Sequence, residues 1–191
     1  LTRVLIVCGQ DEPNTVLTQL LRFISEKHAI PVVADILSNQ HTLENSIRHA
    51  DAFLGPALAE IKESLQPELL ITFGKSIISK QVKLFLRKHK PVVHWHVQEA
   101  GDVADTYQSL TDIARVSPET FFTFLSSLDK RETFEQQKKE NYYQLWQVED
   151  RASRELVRTF FPQTELNEFE IVSEVLNKLP DNTHLHLANS M

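Results

Sequence analysis

Short apolar runs alternate along this chain with stretches whose apolar positions recur every three or four residues. Arg3-Val-Leu-Ile-Val-Cys8 is a continuous β-rich run ending at Gly9, the pattern of a parallel strand buried on both faces. Asp11, Pro13 and Asn14 are helix-start residues, and Val16, Leu17, Leu20, Leu21 and Ile24 then repeat at helical spacing to about His28. Pro31 opens a second strand over 32–36. Residues 38–50 are polar and predict a short helix or irregular segment, and Ala52-Phe-Leu54 suggests a short strand. Pro56 suits the start of a helix carrying Leu58, Ile61 and Leu65. A strand at 69–73 ends at Gly74, and a helix with Ile77, Ile78, Val82, Phe85 and Leu86 follows it. Pro91 opens a strand over 92–97. A loop over 98–110, a weaker strand over 111–116 and a helix capped by Ser117-Pro118 complete the series.

Strands alternating with helices of about a dozen residues predict an α/β fold: a doubly wound, mainly parallel sheet covered on both faces. This domain is expected to fill residues 1–128. Residues 129–166 change character, being rich in Lys, Arg, Glu and Gln, and read as a helical linker. Its apolar cluster, Tyr142, Tyr143, Leu145, Trp146 and Val148, either pins the linker to the α/β domain or faces a neighbouring domain. From residue 167 to 191 a helix with Phe169, Ile171, Val172, Val175, Leu176 and Leu179 leads through a turn at Pro180-Asp-Asn to a strand over 183–188. One helix and one strand cannot make a core. They suggest the opening of a further domain, with the chain as a piece of a longer protein.

Composition narrows the function classes. The 191 residues carry 20 basic and 26 acidic side chains, a net charge of -6, which argues against a general nucleic-acid binder. No apolar run approaches the ~18 residues a membrane helix needs. One cysteine, Cys8, excludes an intrachain disulfide and a four-cysteine zinc site. Four glycines cannot supply a glycine-rich nucleotide loop, and both GxGxxG and the full Walker A pattern are absent.

The remaining chemical candidates are few. Gly74-Lys75-Ser76 follows a strand and opens the next helix, where free N–H groups favour an anion, but the upstream glycine of a phosphate loop is replaced by Leu69. Lys80, Lys83 and Arg87 share one helix face, either a solvated surface or an anion site. His94-Trp-His96 and His184-Leu-His186 each put two imidazoles on one side of a strand, which is half of a zinc site. Neither pair is expected to bind a metal. No catalytic triad can be argued from spacing.

Three segments together resemble one family. Ile30-Pro-Val-Val-Ala-Asp-Ile-Leu-Ser38, Pro91-Val-Val-His-Trp-His-Val97 and Leu187-Ala-Asn-Ser-Met191 occur in the order and spacing of the MenD-type 2-succinyl-5-enolpyruvyl-6-hydroxy-3-cyclohexene-1-carboxylate synthases. These are thiamine-diphosphate enzymes of menaquinone biosynthesis. The resemblance implies a central α/β domain followed by the start of a diphosphate-binding domain. It implies a parent that decarboxylates 2-oxoglutarate and adds the product to isochorismate, using thiamine diphosphate with Mg2+ or Mn2+. The parent is expected to be a cytoplasmic homo-oligomer, a dimer or tetramer. The chain itself would be non-catalytic, with the other domains of the parent as its partners and no cofactor or metal of its own. Of the family's site residues only Asn189 and Ser190, which match the Asn-Ser turn beside the cofactor, carry over. The stretch Gly101–Gln108, where some members place basic residues, is acidic here, so no site is carried to it. Two other readings stay open. One is the central domain of another thiamine-diphosphate enzyme, of decarboxylase or acetolactate-synthase type. The other is a freestanding α/β module that binds an anionic metabolite.

Overall fold

The computed structural model describes residues 1–40, 42–128, 134–160 and 168–185. Five strands form one sheet: β1 (Val4–Cys8), β2 (Val32–Ala34), β3 (Leu69–Phe73), β4 (Val93–Val97) and β5 (Asp112–Ala114). Their order is β2-β1-β3-β4-β5 and every pairing is parallel. Parallel neighbours need crossovers, and these are α1 (Thr15–His28), α2 (Ala50–Leu54) with α3 (Ala59–Leu65), and α4 (Lys80–Lys88). The direction of winding reverses between β1 and β3, so the topological switch point of the sheet lies there.

Alternation along the strands splits the core in two. Leu5, Val7 and Leu70 point to the face covered by α2, α3 and α4, packing with Phe53, Leu65, Val82 and Phe85. Ile6, Cys8, Ile71 and Phe73 point to the other face, against Leu17, Leu21 and Ile24 of α1 and Phe122 of α5 (Pro118–Ser127). These residues of β1 and β3 are almost fully buried, as their unbroken apolar runs require.

Two compact units follow from the contacts, residues 1–153 and 154–191. The long helix α6 (Phe134–Phe160) therefore contributes its first part to the α/β unit. Trp146 is fully buried there and meets Phe53, Phe85 and Tyr142 edge-on at centroid distances of 5.8, 6.0 and 6.5 Å. The Tyr142 hydroxyl donates to the Leu65 carbonyl at 2.9 Å. Of the two readings of this apolar cluster, Tyr142 and Trp146 follow the first, pinning the segment to the domain. The second unit, by itself, holds the end of α6 and α7 (Glu168–Asn177), on which Ile171, Val172, Val175 and Leu176 are exposed.

Two local expectations are corrected. Ala52-Phe-Leu54 is not a strand but the end of α2. The start of α2 lacks a local side-chain cap. Instead Asp150 Oδ1 from α6 accepts from the backbone N–H groups of Arg48 and His49, both at 2.7 Å. The second correction concerns α4, which opens at Lys80 with Ser79 as its cap rather than directly after Gly74-Lys-Ser76. Residues 183–185 have no strand structure, and 186–188 lie outside the described residues.

Candidate functional site

In open parallel sheets ligands bind outside the carboxyl ends of the strands, at the switch point. A cavity of about 790 Å³ lies at that place, lined by the residues that follow β1 (Gln10, Asp11, Glu12), β2 (Ile36, Leu37, Asn39), β3 (Gly74, Lys75) and β4 (Gln98, Glu99, Ala100, Asp102).

The floor of this crevice is knitted by backbone. Gly9 N–H donates to Phe73 O (2.9 Å), Gln10 N–H to Ser76 O (3.1 Å) and Lys75 N–H to Gln10 O (2.8 Å). The two chains approach so closely that a Cβ on Gly9 would sit 2.1 Å from the Lys75 carbonyl oxygen, and Gly74 takes the left-handed region at φ +75°. Asp11 N–H donates to Leu37 O, and Glu12 N–H to the Asp11 carboxylate. The backbone N–H groups of Gln10, Asp11, Glu12 and Lys75 at this crevice are thus already bonded within the protein.

Its electrostatics point the same way. Asp11, Glu12, Glu99 and Asp102 line the crevice against Lys75 alone. Burial pushes the Asp11 carboxyl up, reinforced by the nearby carboxylates of Glu119 and Glu12 and opposed by its hydrogen bond from the Glu12 N–H and by Lys75. Four carboxylates against one lysine make this crevice a poor fit for the bare diphosphate of thiamine diphosphate. Gly74-Lys75-Ser76 likewise loses its reading as an anion site: the Ile78 and Ser79 N–H groups before α4 donate to Asp35 Oδ2 (2.8 and 3.1 Å), and Gln81 N–H donates to Asp51 Oδ1 (2.8 Å). On the basic face of α4, Lys83 Nζ donates to Ile77 O and Arg87 Nε to Thr106 O, which gives two of the three cations structural tasks.

The Asp-x-Leu-Ser segment has a scaffold role. Asp35 Oδ1 caps the short 3-10 turn 36–38 through Leu37 N–H, while its other oxygen holds the residues before α4, and Ser38 Oγ donates to Asp35 O at 2.6 Å. One aspartate therefore joins the end of β2 to the entry of α4 and shapes the rim of the crevice.

Beside it, under the loop 98–110, lies a smaller cavity of about 200 Å³ whose lining includes Thr72, Lys75, His94, His96, Asp102 and Tyr107. His94 and His96 point to one side of β4, as their spacing predicts, and the register sets Thr72 of β3 opposite His96. Thr72 Oγ1 lies 2.9 Å from both His94 Nε2 and His96 Nδ1. His94 Nδ1 lies 3.2 Å from Ser109 Oγ, and His96 Nε2 lies 3.2 Å from Gln98 Oε1. All four ring nitrogens have a partner, which leaves none for a metal. Burial draws the His94 pKa down to about 4, against the opposing pull of Asp105, and lowers that of His96 as well. Thr72 and Ser109 were not singled out from sequence; only strand register and loop return bring them to the histidines.

Among the described residues no cluster of three or more His, Cys, Asp or Glu side chains could hold a metal ion. No described helix is long and apolar enough to cross a membrane. Cys8 is buried, and burial, with the charge of Asp11, raises its thiol well above its ordinary range. Asn189, Ser190 and His186 lie outside the described residues; His184 is exposed.

A family model described as the middle domain of thiamine pyrophosphate matches residues 2–187. The chain belongs to this middle-domain family of thiamine pyrophosphate (thiamine diphosphate) enzymes. Among curated proteins it is similar to the 2-succinyl-5-enolpyruvyl-6-hydroxy-3-cyclohexene-1-carboxylate synthases. With that of Flavobacterium psychrophilum it shares 31% identity over 187 residues, 97% of this chain and 32% of the relative. With that of Porphyromonas gingivalis it shares 34% over 190 residues, 98% and 32%. With that of Bacteroides fragilis it shares 36% over 155 residues, 81% and 26%. The chain spans about a third of the length of the curated relatives it matches. The resemblance carried by the three sequence segments is thus met by both comparisons, and the all-parallel sheet agrees with it.

Proposed function

We propose that this chain is the central domain of a thiamine-diphosphate-dependent synthase that decarboxylates 2-oxoglutarate and adds the product to isochorismate in menaquinone biosynthesis, and that it is non-catalytic by itself. The observation that carries the reading is the similarity to synthases of that name across nearly the whole chain. The bonded backbone donors and acidic lining of the crevice support a division of labour in which other domains hold the cofactor's diphosphate with its Mg2+ or Mn2+. They also weigh against a freestanding module for anionic metabolites. The complete enzyme is a cytoplasmic homo-oligomer in this reading, and Asn189 and Ser190 reach the cofactor.

The test is an assay of the complete protein for isochorismate-dependent release of CO2 from 2-oxoglutarate with added thiamine diphosphate. Turnover by the complete protein and none by residues 1–191 is expected; turnover only with another 2-oxo acid would point to a different enzyme of the class. In the complete protein Ser190→Ala should weaken cofactor binding roughly ten- to a hundredfold, the worth of one hydrogen bond to a charged phosphate oxygen. Unchanged affinity with a lowered melting temperature would make Ser190 a turn cap only.

A further inference from the structure

The hydrogen bonds around the two histidines of β4 have a direction that the chemistry of their ends dictates. Gln98 Nε2 donates to Ala100 O (2.6 Å) and Asp102 O (3.2 Å), which fixes the amide with Oε1 facing His96. A carbonyl oxygen only accepts, so His96 carries its proton on Nε2 and leaves Nδ1 as an acceptor. Thr72 must then donate to His96 and accept from His94 Nε2–H. His94 in turn accepts on Nδ1 from Ser109. With both rings neutral the chain runs Ser109 → His94 → Thr72 → His96 → Gln98.

We propose that this chain is a proton-controlled latch: it holds the loop 98–110 on the carboxyl edge of the sheet while both imidazoles are neutral and lets it go when either ring takes a proton. The proposal does not rest on the synthase reading. A proton on His96 Nδ1 turns an acceptor into a donor, and the Thr72 hydroxyl keeps a partner only if His94 gives up its Nε2–H tautomer and Ser109 turns from donor to acceptor. A proton on His94 places a charge at a side chain only 2% exposed. The loop is otherwise lightly tied. Arg87 of α4 reaches Thr106 O and Arg115 reaches Gly101 O, both at 2.8 Å, Gln98 N–H donates to Ala114 O of β5 at 3.1 Å, and Tyr107 is its one buried plug, edge-on to His94 at 5.7 Å. The charged groups around the rings are mixed. Asp105 faces His94 and favours its proton, Arg115 faces His96 and opposes it, and Lys75 and Asp102 share the small cavity. Asp35 and Arg87 act on Tyr107 with opposite sign. Gln98, Glu99, Ala100 and Asp102 also wall the large crevice, so release would reshape it.

The test uses residues 1–191 and two readouts. Imidazole 15N shifts at about pH 7.5 should show both rings as neutral Nε2–H tautomers; an Nδ1–H tautomer or a charged ring would overturn the proposal. Amide hydrogen exchange, corrected for intrinsic rates, should show about a tenfold greater loss of protection across 99–110 than in β1 and β3 between about pH 7.5 and pH 4.5. Thr72→Val should give that loosened loop already at about pH 7.5, with Thr72→Ser restoring it. Gln98→Glu, whose carboxylate favours the proton on His96, should move the release upward by about one pH unit, which tests the latch even if Thr72→Val does not fold. Loop protection that ignores pH, or that is lost in step with the strands, would overturn the proposal.

Discussion

The α/β unit and the unit that follows it use the same kinds of residue to opposite effect. Up to Ser153, Tyr142 and Trp146 of α6 complete a core: Trp146 fills the space between Phe53 and Phe85, and Asp150 holds the N–H groups that lead into a helix about a hundred residues earlier in the chain. From Arg154 onward, Leu156, Val157, Ile171, Val172 and Val175 are exposed, and the ion pairs Arg158–Glu155 and Lys178–Glu174 lie at the surface, where such pairs add little. An amphipathic stripe therefore does not by itself say which core it serves.

The strongest way to break this contrast is Trp146→Ala. It should cost about 3–5 kcal/mol in a denaturant titration of the α/β unit, the range for removing a fully buried aromatic side chain. A loss under about 1 kcal/mol would return this part of α6 to the status of a linker.

A pH titration of stability sharpens the contrast next, because the latch histidines lie only in the first unit. The folded pKa of His94, about 4, is below the ~6.5 of a free imidazole, so the unfolded chain takes up the proton first. The stabilisation is complete above about pH 6.5 and is lost as pH falls toward 4, up to about 3 kcal/mol for this residue. His96 adds to the loss in the same direction. Stability of the α/β unit that stays flat over this window would contradict the burial of neutral rings.

A smaller effect is expected from Asp150→Ala, which leaves the Arg48 and His49 N–H groups without their acceptor. About 2 kcal/mol should be lost, with exchange accelerated first in α2. At the far end of the scale, Leu156→Ser should change the melting temperature of residues 1–191 little, corresponding to within about 0.5 kcal/mol. A cost above 1 kcal/mol would mean that this side chain is buried after all.

These contrasts explain what the sequence made legible. Local periodicity located all five strands and the helices α1, α4 and α5, because buried parallel strands and amphipathic helices advertise themselves within a dozen residues. It misread Ala52-Phe-Leu54, a helix end whose start is stabilised by Asp150 from a distant segment, and it began α4 too early because Asp35 and Asp51, which take up the nearby N–H groups, are also remote. The candidate site shows the same limit. The spacing of His94 and His96 revealed a shared face, but Thr72 and Ser109 join them only through strand register and a returning loop. The acidity of Gly101–Gln108 was visible in sequence, whereas the bonded backbone donors of the crevice were not.

In the function proposed, this domain serves the synthase without holding its cofactor. The most direct measurement is a calorimetric titration of thiamine diphosphate, with Mg2+ present, into residues 1–191 and into the complete protein. Saturable binding by the complete protein and none by residues 1–191 is expected. Stoichiometric binding by residues 1–191 at the affinity of the complete protein, abolished by Lys75→Ala, would place the diphosphate in the crevice and contradict it.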